Sequence, residues 1–142
     1  MDRIEREEYL QKLITFKDKQ LIKVITGVRR CGKSTIMEIF QDYLKSVGIS
    51  ESQILAVNLE DYDFYELRDS RRLYDYIKEH MIWGKKLYVF LDEIQNVKDF
   101  PDVVNSLFLK KDIDLYITGS NAYMLSSEIA TFISGRYVEI RM

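Results

Sequence analysis

The stretch "TGVRRCGKST", Thr26 to Thr35, decides how the whole chain is read. Gly27 is followed by Val28, Arg29, Arg30 and Cys31, and then by Gly32, Lys33, Ser34 and Thr35. A glycine turn that merely opens a helix needs neither a lysine nor a hydroxyl at those places. A loop that wraps phosphate needs both. Gly27 and Gly32 let the backbone pass through conformations that side chains resist, so successive N–H groups converge on phosphate oxygens. A helix starting near Lys33 adds its unpaired N–H groups and the positive end of its dipole. Lys33 then supplies a mobile cation for the β and γ phosphates, Ser34 a hydroxyl for Mg²⁺, and Thr35 a hydrogen bond to the α phosphate. Arg29 and Arg30 occupy variable loop positions, facing phosphate, solvent or a partner. Cys31 is either a small filler or, at the positive helix end, a reactive thiol beside the ligand.

The flanks agree with this pattern. "LIKVIT" (Leu21 to Thr26) reads as a strand. After the loop, Ile36, Phe40, Tyr43 or Leu44, and Val47 share one helical face until Gly48 stops it. Further strands read at Ile54 to Glu60, Lys86 to Glu93, Ile113 to Ser120 and in the final "RYVEIRM". Helical patterns lie between them: Leu73, Ile77 and Met81; then Phe100, Val103 or Val104, and Leu107 or Phe108; then Leu125, Ile129 and Phe132. Arg3 to Phe16 reads as a preceding helix with Leu10, Leu13 and Ile14 inward. Alternation of short β-branched runs with helical segments predicts an α/β fold of parallel βαβ units. The runs "LYVFL" and "LYITG" are nearly continuously apolar, as strands covered on both faces should be.

A loop that holds phosphate does not by itself define a reaction, so the acids matter next. "LYVFLDE" puts Asp92 at the C-terminal end of a buried strand, where parallel sheets bind ligands. Asp92 is placed to hold Mg²⁺ through its water shell, and Glu93 to orient or deprotonate an attacking water. In "YITGSNA", Asn121, with Ser120 as second choice, projects toward the γ phosphate from a strand expected between the loop strand and the Asp92 strand. A Gly-Ser-Asn turn capping the next helix is the plain alternative, and both roles are compatible.

The chain must also be able to carry such a site. Its 142 residues suit one domain, 1–142, and 46% hydrophobic with 31% charged residues is the composition of a folded protein. One proline and six glycines leave no low-complexity linker. The charged N-terminus "MDRIEREEYL" and strand-sized apolar runs imply no membrane partner, and the lone cysteine suits a reducing, cytoplasmic setting. A net charge of −2 gives no general attraction to nucleic acid. "RDSRR" (Arg68 to Arg72) and the Lys110, Lys111 pair read as solvated helix ends.

Together these motifs resemble the AAA-type P-loop ATPases of bacteria and archaea. The likeness rests on the "GVRRCGKST" loop, "LDEIQ", "ITGSN" and "SSEIATFISGR", and runs from Leu21 to Arg141. The resemblance implies a three-layer fold with five parallel strands ordered 5-1-4-3-2. It also implies ATP hydrolysis, with Lys33, Ser34, Asp92, Glu93 and Asn121 at the matching positions and ATP and Mg²⁺ bound. Arg136, in "SGR" before the fifth strand, occupies the place of an arginine that reaches a neighbouring subunit's nucleotide, which implies homo-oligomers. Members of the family continue into a helical lid and C-terminal domains, so a core truncated before its lid is expected here. Contacts to nucleic acid would then come only from such further regions.

Two other functions fit the same residues. A P-loop kinase would need a mobile arginine lid, and "NAYMLSSEIATFIS" has no arginine before Arg136. A nucleotide-gated interaction module would bind ATP with negligible turnover. His80, the single histidine, is expected at the surface, and the tyrosines of "LEDYDFYELRDS" (Leu59 to Ser70) are expected mainly to pack.

Overall fold

The computed structural model describes residues 2–28, 30–120 and 135–142. Helix α1 (Arg3–Phe16) opens on Asp2, whose carboxylate accepts the Glu5 N–H at 2.8 Å. There follow β1 (Ile22–Thr26), α2 (Lys33–Ser46), β2 (Ile54–Asn58), a 3₁₀ segment Tyr62–Arg68, and α3 (Ser70–Glu79). The chain continues through β3 (Leu87–Asp92), α4 (Phe100–Phe108), β4 (Ile113–Gly119) and β5 (Tyr137–Arg141). The helix expected through Leu125, Ile129 and Phe132 lies outside the described residues.

All five strands run parallel in the order β2-β3-β4-β1-β5, the 5-1-4-3-2 sheet that the resemblance implies. Every residue of β1, β3 and β4 is buried, whereas the edge strands β2 and β5 are partly exposed. Alternate residues of the central strands serve opposite layers, because side chains along a strand point to alternate faces. Val89, Leu91, Leu115 and Ile117 pack with Leu73 and Ile77 of α3 and Val103, Val104 and Leu107 of α4. Tyr88, Phe90, Tyr116 and Ile25 pack with Leu13 of α1 and Ile36, Met37, Phe40 and Leu44 of α2. Phe90 and Tyr116 stack with centroids 4.8 Å apart, and Phe40 closes on Tyr116 at 5.1 Å.

Two of the sequence expectations need correction. Val47 does not complete the inner face of α2: it caps the helix and is exposed, and Leu44 takes the last inward place. Tyr62 and Tyr65 do not pack inward either. They lie on the surface 5.3 Å from one another, while Phe64 and Leu67 of the same turn lean on the core.

The sheet also buries an ion pair. The Lys23 ammonium donates to Asp114 and, at 2.6 Å, to the Lys19 carbonyl. The second Asp114 oxygen accepts the Asp18 N–H at 2.9 Å and the Tyr116 hydroxyl at 2.7 Å. The Tyr88 hydroxyl reaches Asp18 at 2.7 Å. Burial pushes the Lys23 ammonium below its ordinary value, against the pull of Asp114. This network sits at the N-terminal ends of β1 and β4. The glycine loop leaves β1 at the opposite end, so the network anchors the sheet and takes no part in the site.

Candidate functional site

Register brings the site together. Thr26, the last residue of β1, pairs with Gly119 of β4 and Arg141 of β5, and β3 ends at Asp92 beside Asn58 of β2. Gly27, Asp92 and Glu93, and Ser120 therefore all leave the same edge of a parallel sheet, where ligands bind such folds.

The loop between β1 and α2 turns sharply. Arg30 has φ 66°, and Gly32, at the helix N-cap, has φ 105°, a region that side chains resist. At Gly27 a Cβ would stand 2.6 Å from Cys31 Sγ and 3.3 Å from Met142, so a side chain there would have to displace the thiol. The first α2 hydrogen bond runs from Ile36 N to Gly32 O at 2.9 Å. The N–H groups of the preceding residues thus have no partner within the helix. Arg29 lies outside the described residues.

Lys33 opens α2 with its side chain buried. Its ammonium donates to the Gly27 carbonyl at 2.5 Å and lies 3.5 Å from Glu93 Oε1. The Ser34 hydroxyl donates to Asp92 Oδ2, joining the start of α2 to the end of β3. Gln95 Nε2 holds the other Glu93 oxygen at 2.5 Å. Ser34 and Thr35 are exposed. Arg30, Gly32, Lys33, Ser34, Thr35, Glu60 and Glu93 line a cleft of 340 Å³.

The donor set suits a divalent cation that prefers oxygen and keeps most of its waters, as Mg²⁺ does. Ser34 Oγ and Asp92 Oδ2 are one hydroxyl and one carboxylate oxygen in contact. Among the described residues no group of three or more His, Cys, Asp or Glu side chains could hold a metal ion.

Sequence reasoning missed two members. Glu60 lines the cleft from the turn after β2; its place just beyond a strand's C-terminal end was the available signal. Thr118 is fully buried between Asp92 and Glu93, and the threonine that ends the run "LYIT" was the available signal. Asn121 lies outside the described residues; Ser120 is half-buried just after β4. Arg136 is not beside the loop. It precedes β5, whose five residues separate it from the end of the sheet that carries the loop, and its guanidinium donates to Asn105 Oδ1 of α4.

His80, Arg71 and Arg72 behave as surface groups. His80 Nδ1 lies 2.7 Å from the Tyr76 carbonyl and is exposed. Arg71 pairs with Asp75 at 3.3 Å and Arg72 with Glu66 at 3.4 Å, so the basic run at the start of α3 is locally neutralised. Among the described residues no helix is long and apolar enough to cross a membrane.

Residues 19–142 match a family model described as an AAA domain. An uncharacterized protein of Haemophilus influenzae is 46% identical over 140 residues, covering 98% of this chain and 35% of its own length. One of Methanocaldococcus jannaschii is 32% identical over 120 residues, covering 81% of this chain and 24% of its own. The chain thus spans between 24% and 35% of these relatives. Among solved structures, one of Drosophila ORC bound to AT-rich DNA and Cdc6 superposes with a TM-score of 0.63 at 12% identity, over 96% of this chain and 53% of that one. A DNA polymerase III gamma subunit-related protein from Thermotoga maritima gives 0.60 at 10% identity, over 94% and 45%. At such identities the likeness is one of fold.

Proposed function

Because the chain belongs to the AAA domain family, we propose that it binds Mg-ATP and hydrolyses it to ADP and phosphate, as the cytoplasmic motor or switch core of a longer protein. One observation carries this function: Gly27, Lys33 and Glu93, and Ser34, Asp92 and Thr118, form two contact chains that meet at the Asp92-Glu93 step.

Each group has a task. The backbone N–H groups of the loop and of the start of α2 hold the phosphates, with the charges of Arg29 and Arg30 in support. Cys31 fills the loop against Gly27. Lys33 exchanges Glu93 for phosphate oxygens, which frees the Glu93 carboxylate to accept a proton from water. Asn121 holds that water. Ser34 and Asp92 would hold Mg²⁺, which when bound would neutralise charge on the phosphates. Arg136 serves a neighbouring copy, which makes the working form an oligomer.

Calorimetric titration with Mg-ATP, paired with phosphate release, tests this function. Lys33→Ala should remove most binding. Affinity within about twofold of wild type, roughly 0.4 kcal/mol, would dismiss Lys33 as the phosphate cation. A second function keeps a foothold because Lys33 and Gln95 both engage the Glu93 carboxylate. Tight binding without phosphate release at any protein concentration would favour a nucleotide-gated interaction module.

A further inference from the structure

Asp92 and Glu93 are adjacent in sequence yet must serve different atoms, one a cation and the other a water. Along a regular strand their side chains would point to opposite faces, and β3 would run on past the site. It stops instead. The parallel ladder between β3 and β4 ends at Leu91 and Ile117. One residue beyond its last strand position, Glu93 takes φ 58° and ψ 55°, the left-handed region. A residue with a Cβ holds that conformation only where its surroundings enforce it.

Asn96 holds the Glu93 carbonyl on one side of the bend, its Nδ2 donating at 3.1 Å, and β4 holds the other side. Where the next ladder bond would fall, the Thr118 side chain replaces the backbone: the Glu93 N–H donates to Thr118 Oγ1 at 2.8 Å. The Thr118 hydroxyl spends its own proton on Asp92 Oδ1. The other carboxylate oxygen, Oδ2, is left to Ser34. A hydroxyl can donate and accept at once, which valine, of the same shape, cannot. Thr118 is 0% exposed, so neither bond has water as a substitute.

We propose that Thr118 is a positioning residue for the ATPase reaction: it turns Asp92 toward the cation and fixes the backbone bend that turns Glu93 toward the water. This rests on the function proposed above. Thr118 is fully buried and does not line the cleft, so it acts only through the two acids, as groups behind a metal's ligands orient them.

The consequence differs from that of an ordinary buried hydrogen bond. Loss of the hydroxyl should loosen Asp92 and so raise the Mg²⁺ concentration needed for nucleotide binding. It should also misplace Glu93 and lower turnover. It should spare the backbone donors and Lys33, so nucleotide affinity without Mg²⁺ should stay near wild type.

The test compares wild type, Thr118→Val and Thr118→Ser. ATP binding is titrated first in EDTA and then against rising Mg²⁺, and turnover is measured separately. Thr118→Val should bind ATP in EDTA within about twofold of wild type. It should need roughly 10- to 100-fold more Mg²⁺ and lose at least about tenfold in kcat with little change in KM. Thr118→Ser should restore both. Where Thr118→Val does not fold, Thr118→Ala against Thr118→Ser carries the comparison. A valine or alanine variant with wild-type Mg²⁺ dependence and kcat overturns the proposal, and so does a serine variant as impaired as valine. A wild-type protein that binds no nucleotide overturns the proposed function, and this inference with it.

Discussion

The Lys33 ammonium lies 3.5 Å from a Glu93 carboxylate oxygen, with both side chains buried at the end of the sheet. The cation expected to grip phosphate is thus held by the acid expected to activate water. In the proposed function nucleotide must separate them, so occupancy of the loop and release of Glu93 become one event.

Glu93→Gln should therefore do two things at once. The amide cannot accept the proton of water, so phosphate release should fall to background. Lys33 also loses its competing anion, so Mg-ATP affinity should tighten by about two- to tenfold, roughly 0.4–1.4 kcal/mol. A titration showing tenfold weaker binding would mean that Glu93 supports Lys33 rather than competing for it.

Gly27→Ala should be damaging, chiefly through its closest contact. The new methyl would stand 2.6 Å from Cys31 Sγ, and overpacking of this kind costs about 1–3 kcal/mol. Cys31→Ala in the same chain should recover most of the loss in thermal unfolding. No recovery would place the strain in the loop backbone instead of at the thiol.

At the other end of the sheet, Asp114→Asn leaves the Lys23 ammonium buried without its anion, which should cost about 3–5 kcal/mol. Adding Lys23→Met removes the stranded charge, and the double variant should regain most of that stability. A urea-unfolding cycle measures the coupling; additive losses would show that the two residues act independently.

Tyr116 makes the fold sensitive to alkali. Burial, and then the negative charge of Asp114, raise its phenol far above its ordinary value. Unfolded tyrosine ionises near pH 10, so above that pH the unfolded chain releases a proton that the folded one keeps. Stability is full below about pH 10 and should fall above it by up to about 1.4 kcal/mol per pH unit from this group. Tyr116→Phe should flatten the decline in urea melts between pH 9 and 11, taken as about one unit either side of that value. An unchanged slope would assign the alkaline loss to other groups.

Arg136 should act between copies of the chain. Arginines supplied in trans are worth about 10³ to 10⁵ in rate, so specific activity should climb with protein concentration. Arg136→Ala should abolish the climb while leaving ATP affinity intact. Asn105→Ala, which removes the partner of its guanidinium within the chain, serves as the control. High turnover by a proven monomer would remove Arg136 from the reaction.

Much of this was legible in the sequence because local chemistry set it. The glycines around four variable residues, followed by Lys33 and Ser34, require a strand before and a helix after, and both are present. The continuously apolar run before Asp92 could only be a covered central strand, so the acid had to emerge at the ligand edge. Helix α1 was readable from its own period, down to its bounds at Arg3 and Phe16.

Contacts between distant segments were not legible, because no local pattern encodes them. Lys23 and Asp114 each look like a polar interruption in an apolar strand; only the pairing of β1 with β4 brings them together, 91 positions apart. Thr118 reads as one more β-branched residue until the register sets its hydroxyl between Asp92 and Glu93. The phosphate-loop pattern, the order of elements and the acids at a strand's end could be read along the chain, since each depends on neighbours within a few residues. Only the tertiary structure decided which groups hold one another. A parallel sheet joins strands that are remote in the chain, and the partner of a buried polar atom is chosen by register rather than by sequence distance.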